Sequence, residues 1–136
     1  MKIFICFLVF LAVIFPLYNF QSDNILSLAK AESVVFVNEK NGKQTFEEGK
    51  VGVDNTLKLN KSTGIVLKTS LGMDELKERL KLKVVKTESI NGNNILYAYS
   101  PYYSKKISLA GKASNVQIVE KEGYVLVGLP IIYSGF

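Results

Sequence analysis

The chain has 136 residues, 48% of them apolar, and a formal net charge of +5, with no histidine, no tryptophan and a single cysteine. That length holds one domain with a working core, and the composition excludes collagen-like, disulfide-framework and multi-span membrane classes. Zinc and copper sites, which rest on His and Cys, have almost nothing to draw on.

The apolar residues are unevenly spread, and 22 of them fall within residues 1–31. Lys2 precedes an unbroken apolar run from Ile3 to Phe15 that stops at Pro16, the positive start and greasy stretch of a secretory signal. Ala29-Lys30-Ala31 has the small-x-small form cut by a signal peptidase, so cleavage there would begin the mature chain at Glu32. The alternative is an uncleaved N-terminal membrane anchor, since apolar character continues to Phe20 and reaches marginal span length. Both place the remainder outside the cytoplasm, secreted or anchored. Cys6 sits near the start of the apolar run, where a lipid-bearing cysteine would not. Residues 32–136 carry 15 basic and 11 acidic side chains, a weakly basic balance that suits anionic envelope polymers or lipid headgroups.

Residues 32–136 are expected to form one domain. Ser33 to Val37 is a β-rich run, and Asn41-Gly42 after it predicts a tight hairpin with Lys43 to Phe46 as the return strand. Residues 47–63 are broken by Gly, Asn, Ser and Thr and predict loops with one weak strand. Ile65-Val66-Leu67 predicts a short buried strand. A helix follows: Ser70 or Gly72 as N-cap, Asp74 and Glu75 in the first turn, and Met73, Leu76 and Leu80 as one apolar stripe. Lys81 and Lys83 bring positive charge to its end, and Glu75 and Arg79 form an i, i+4 pair. The period then becomes two. Lys83 to Ile90 and Ile95 to Tyr99 predict strands around an Asn91–Asn94 turn, stopped by Ser100-Pro101. Ile107 to Leu109 predicts a short strand and the stretch around Val116 and Ile118 a half-buried one. Tyr124 to Leu129 returns from a hairpin at Lys121–Gly123. Ile131 to Tyr133 should dock as an apolar tail. The expected class is α+β, a mostly antiparallel sheet with one helix packed on a face, preceded by the signal or anchor helix.

The order Asp74-Glu75-Leu76-Lys77-Glu78-Arg79-Leu80, Tyr99-Ser100-Pro101, Gly111-Lys112, Asn115-Val116-Gln117-Ile118 and Gly128-Leu129-Pro130-Ile131-Ile132 resembles the C-terminal part of the YwmB family. These are exported Firmicutes proteins with a TATA-box-binding-protein-like fold. The resemblance covers residues 73–136 and implies half of such a saddle and an envelope setting. Residues 32–68 do not share it, and the chain is too short for two pseudo-repeats, so a complete saddle would require a dimer.

Catalytic chemistry finds few parts. The only Ser-x-x-Lys, Ser27 to Lys30, lies in the leader. Glu47-Glu48 and Glu120-x-Glu122 lack calcium-loop spacing, and no phosphate-cradling glycine motif occurs. No catalytic residue, cofactor or metal is therefore expected. Nucleic acid is not the expected partner, because the lysines are mixed with glutamates and export removes the chain from DNA. The aromatic-basic stretch Tyr97, Tyr99, Pro101, Tyr102, Tyr103, Lys105, Lys106 remains. Tyrosines can stack on sugars or sit at a membrane interface while lysines meet anions. Tyr102, Tyr103, Lys105 and Lys106 are the expected contact residues, although packing and turn roles would also account for tyrosines there. The expected function is a non-catalytic module of the cell envelope that binds a protein or an anionic polymer. A self-associating structural domain, possible as a homodimer, is the alternative.

Overall fold

The computed structural model describes residues 24–51 and 55–132. The expected leader run, Ile3 to Phe15, its continuation to Phe20 and the end of the tail from Tyr133 lie outside the described residues. In chain order the elements are α1 (Asn24–Leu28), β1 (Ser33–Lys40), β2 (Lys43–Gly49), α2 (Thr56–Lys61), β3 (Gly64–Thr69) and α3 (Met73–Arg79). Then come β4 (Lys83–Ile90), β5 (Asn93–Tyr99), β6 (Ile107–Leu109), β7 (Lys112–Ser114), β8 (Val116–Lys121) and β9 (Tyr124–Leu129). No helix among the described residues is long and apolar enough to cross a membrane.

Seven strands form one sheet in the order β2-β1-β3-β9-β8-β5-β4, and β6 and β7 form a separate small hairpin. Every strand pairing described is antiparallel. The fold is thus α+β with a mostly antiparallel sheet. Asn41-Gly42 and Asn91-Gly92 turn their hairpins with two consecutive positive φ angles. That geometry matches the twist of the flanking strands and favours the Asn-Gly pair.

Alternation along the strands assigns the two faces. Cross-strand partners Val34, Leu67, Val127, Ile118 and Leu96 make one row, and all are buried. Leu76 and Leu80 of the α3 turn, Ile25 and Leu26 of α1, and Ala29 and Ala31 beyond it close over this face in the same core. Short helices such as these are stabilised by packing and hardly at all by their own hydrogen bonds. Each fully buried Leu or Ile contributes about 1.5–3 kcal/mol over leaving it exposed.

The next row lies on the opposite face and runs Val35, Val66, Gly128, Gln117, Tyr97, Lys86. Here the chain folds back after β9, and the backbone of Ile131 and Ile132 lies directly on Gly128. The Ile132 amide donates to Gln117 Oε1 at 2.7 Å, and Ile132 packs with Ile95 and Val119. This tail explains why Val116 to Val119 are buried on both faces, where alternation alone predicts a half-buried strand.

Other departures from expectation have local causes. Residues 47–63 hold the end of β2 and the helix α2 in place of loops and a weak strand. The helix α3 starts after Gly72 and ends at Arg79, and Lys81 takes a positive φ. Lys83 opens β4, as the period-two pattern predicts, and supplies no charge to the helix terminus. Arg79 does not pair with Glu75; its Nε donates to the Leu28 carbonyl at 2.6 Å, which ties α3 to α1.

Candidate functional site

The expected contact residues sit on the loop that leaves β5, and that loop is held from below by Asn115. The Asn115 side chain is fully buried. Its Oδ1 accepts from the Ser100 amide at 2.7 Å, and its Nδ2 donates to the carbonyls of Ser100 at 2.8 Å and Tyr103 at 2.6 Å. An Asn in the flipped orientation would set donor against donor, so these partners fix the amide. Ser100 Oγ donates to the Leu80 carbonyl at 2.8 Å, which joins the loop to the end of α3.

That clamp separates the four residues from one another. Tyr103 is only 8% exposed and belongs to the core. Its ring packs into the main core under the loop and is not offered to a partner. The Lys105 ammonium donates to the carbonyls of Leu59 and Ser62, and burial pulls its pKa below the ordinary lysine value. It fastens α2 to the loop. Tyr102 is half-buried, with the Lys81 ammonium 5.9 Å from its ring centroid. Of the four, only Lys106 is exposed on a cleft.

The cleft lies between the start of β4, the end of β5 and the β6–β7 hairpin. It measures about 370 Å³ and is lined by Lys83, Val84, Val85, Tyr99, Lys106, Lys112 and Ala113. A second hollow of about 180 Å³ shares Val85 and Lys112 with it and adds Lys86, Leu109 and Ala110. A bulge in β4 shapes this edge: Lys83 pairs with Tyr99, Val84 with Ala98, and then Lys86 with Tyr97. The extra residue, Val85, leaves Lys83 and Lys86 on the same face as Tyr97 and Tyr99, although three positions apart in sequence. The sequence carries no cue to the bulge. Lys83 opens the strand as the period-two pattern predicts, and Lys112 reaches the cleft only because the β6–β7 hairpin folds toward β4 and β5.

Among the described residues no carboxylate lines either hollow. Lys86 pairs with Glu88 at 3.2 Å, whereas Lys83, Lys106 and Lys112 form no ion pair among the described residues. The cleft therefore combines unpaired ammonium groups with an apolar floor and one phenol ring. Ammonium groups act as point charges toward phosphate or carboxylate, and a Tyr face accepts the apolar side of a sugar or polyol. Among the described residues no group of three metal-ligating side chains occurs.

A polar chain leads from the cleft wall across the sheet. Tyr97 donates its hydroxyl to Glu88 Oε1 at 2.7 Å, and Gln117 Nε2 donates to the Tyr97 oxygen at 3.3 Å. Gln117 in turn holds the Ile132 amide. The Tyr97 hydroxyl, and after it Lys86, hold the Glu88 carboxyl below its ordinary pKa. Burial and then Glu88 push the Tyr97 phenol up. A depressed carboxylate contributes stability above its unfolded pKa, near the ordinary 4.5, and that contribution is lost as pH falls through the folded value. Glu88→Gln should therefore lower the Tm at neutral pH, with the difference from the parent chain closing below about pH 4. A gap that stays constant from pH 7 to pH 3 would show that the charge on Glu88 plays no part.

Comparison of the chain with family models, with curated proteins and with solved structures finds no match.

Proposed function

We propose that this chain is a non-catalytic, extracytoplasmic module of the cell envelope that holds an anionic ligand in the lysine cleft between β4, β5 and the β6–β7 hairpin. The observation that carries the reading is the set of unpaired Lys83, Lys106 and Lys112 around an apolar floor with no carboxylate in the lining. Three like charges gathered at one rim repel each other, and a bound polyanion relieves that repulsion. The lining offers no histidine, cysteine or carboxylate to act on what it holds. The resemblance of residues 73–136 to the YwmB family, and with it a TATA-box-binding-protein-like half fold, belongs to the same proposal and supplies the expected setting.

Binding of a poly(glycerol phosphate) polymer by titration calorimetry tests it, with a neutral dextran of equal size as control. The expected result is binding to the polyanion alone, weakening steadily as salt screens the charges. Lys83→Ala, Lys106→Ala and Lys112→Ala together should weaken it at least tenfold without changing the Tm. Equal binding by the triple variant, or no binding at low salt, rejects the cleft as the site.

Self-association through a sheet edge is the second reading. It draws on Phe46, 54% exposed on the outermost strand β2, where the unpaired backbone edge could add a second copy. Light scattering that finds a monomer at high micromolar concentration rejects it.

A further inference from the structure

We infer that residues 24–31 are a permanent part of the folded domain, so that Ala29-Lys30-Ala31 is not a processing site and any cut in the leader falls before Asn24. The inference concerns the export part of the proposed function and leaves the lysine cleft aside.

The residues concerned are bound into the fold in three ways. Ile25 is 3% exposed and Ala29 is fully buried, and both belong to the main core with Leu26 and Ala31. The backbone of the segment is also claimed from outside. Arg79 Nε donates to the Leu28 carbonyl at 2.6 Å, and Thr69 Oγ1 donates to the Lys30 carbonyl at 3.2 Å. Within the segment, the Ala29 amide donates to Ile25 and the Ala31 amide to Leu26, which closes α1 as a compact cap. The Glu32 amide then donates to the Lys68 carbonyl at 2.8 Å, at the mouth of the β1–β3 pairing.

Cleavage after Ala31 would remove the buried Ile25, Leu26 and Ala29 and leave Arg79 and Thr69 without their acceptors. The apolar floor they cover is formed by strands at the sheet centre, so it would face water.

The full chain, expressed in a host with an export pathway and fractionated, gives the test by intact-mass measurement of its N-terminus. The expected product begins at or before Asn24, or is uncut. A product that begins at Glu32, or at any residue after Asn24, overturns the inference. If the chain stays in the cytosol and is uncut, the export reading fails, and a second measurement decides this inference alone. Ile25→Ser with Leu26→Ser in the full chain should lower the Tm by about 10 °C or more. An unchanged Tm shows that the segment is dispensable and overturns it.

Discussion

Asn115→Ala is expected to destabilise the domain by about 3–4 kcal/mol, read as a lower urea midpoint at an unchanged slope. The substitution removes one acceptor and two donors at once and leaves the Ser100 amide and the Ser100 and Tyr103 carbonyls without their partner. Each such group costs about 1–3 kcal/mol when it stays buried, and partial opening of the loop recovers some of that. The loss is a large share of the roughly 5–15 kcal/mol that holds a small domain together. Asn115→Asp makes the mechanism visible. Its carboxylate still accepts from Ser100 but faces two carbonyl oxygens, so this variant should be poorest at neutral pH and recover as the carboxyl is protonated. A loss under 1 kcal/mol for alanine would mean that water replaces the clamp at no penalty.

Gly128→Ala should cost about 2–3 kcal/mol for the addition of one methyl group. A Cβ on Gly128 would stand 2.3 Å from both the Ile131 carbonyl carbon and the Ile132 amide nitrogen. Both are backbone atoms, so no side-chain rotation relieves the overlap. The tail must lift, and the Ile132 to Gln117 hydrogen bond goes with it. Calorimetry gives the loss of stability, and hydrogen exchange at the Ile132 amide locates it. A variant of parental Tm with a still-protected Ile132 amide would contradict the packing described for this face.

Much of the fold was legible because local chemistry and tertiary environment agree. The Asn-Gly pairs placed two hairpins, the stripe of Met73, Leu76 and Leu80 placed α3, and period-two runs placed β4, β5 and β9. Misreadings arise where a distant segment decides the environment. The burial of Gln117 and Val119 depends on a tail 13 or more positions away, which no alternation within β8 could report. Residues 24–31 read equally as the end of a leader or as a docked helix, because Ile25, Leu26, Ala29 and Ala31 look alike whether they face lipid, a peptidase or a core. At the candidate site, Tyr102, Tyr103, Lys105 and Lys106 are neighbours in sequence, and their shared composition suggested a shared surface. The Asn115 clamp sends Tyr103 inward and Lys105 toward α2, so only Lys106 reaches the cleft. Its companions Lys83 and Lys112 come from β4 and β7, and the bulge at Val85 that orients Lys83 has no sequence signature.

The position of β9 has a consequence for how the molecule comes into being. Among the described residues it is the last strand in sequence, yet it alone joins the β2-β1-β3 group to the β8-β5-β4 group. The two groups share no closed interior until β9 pairs with both, and pairings between such remote stretches form slowly. The two halves therefore join late, when β9 inserts between β3 and β8.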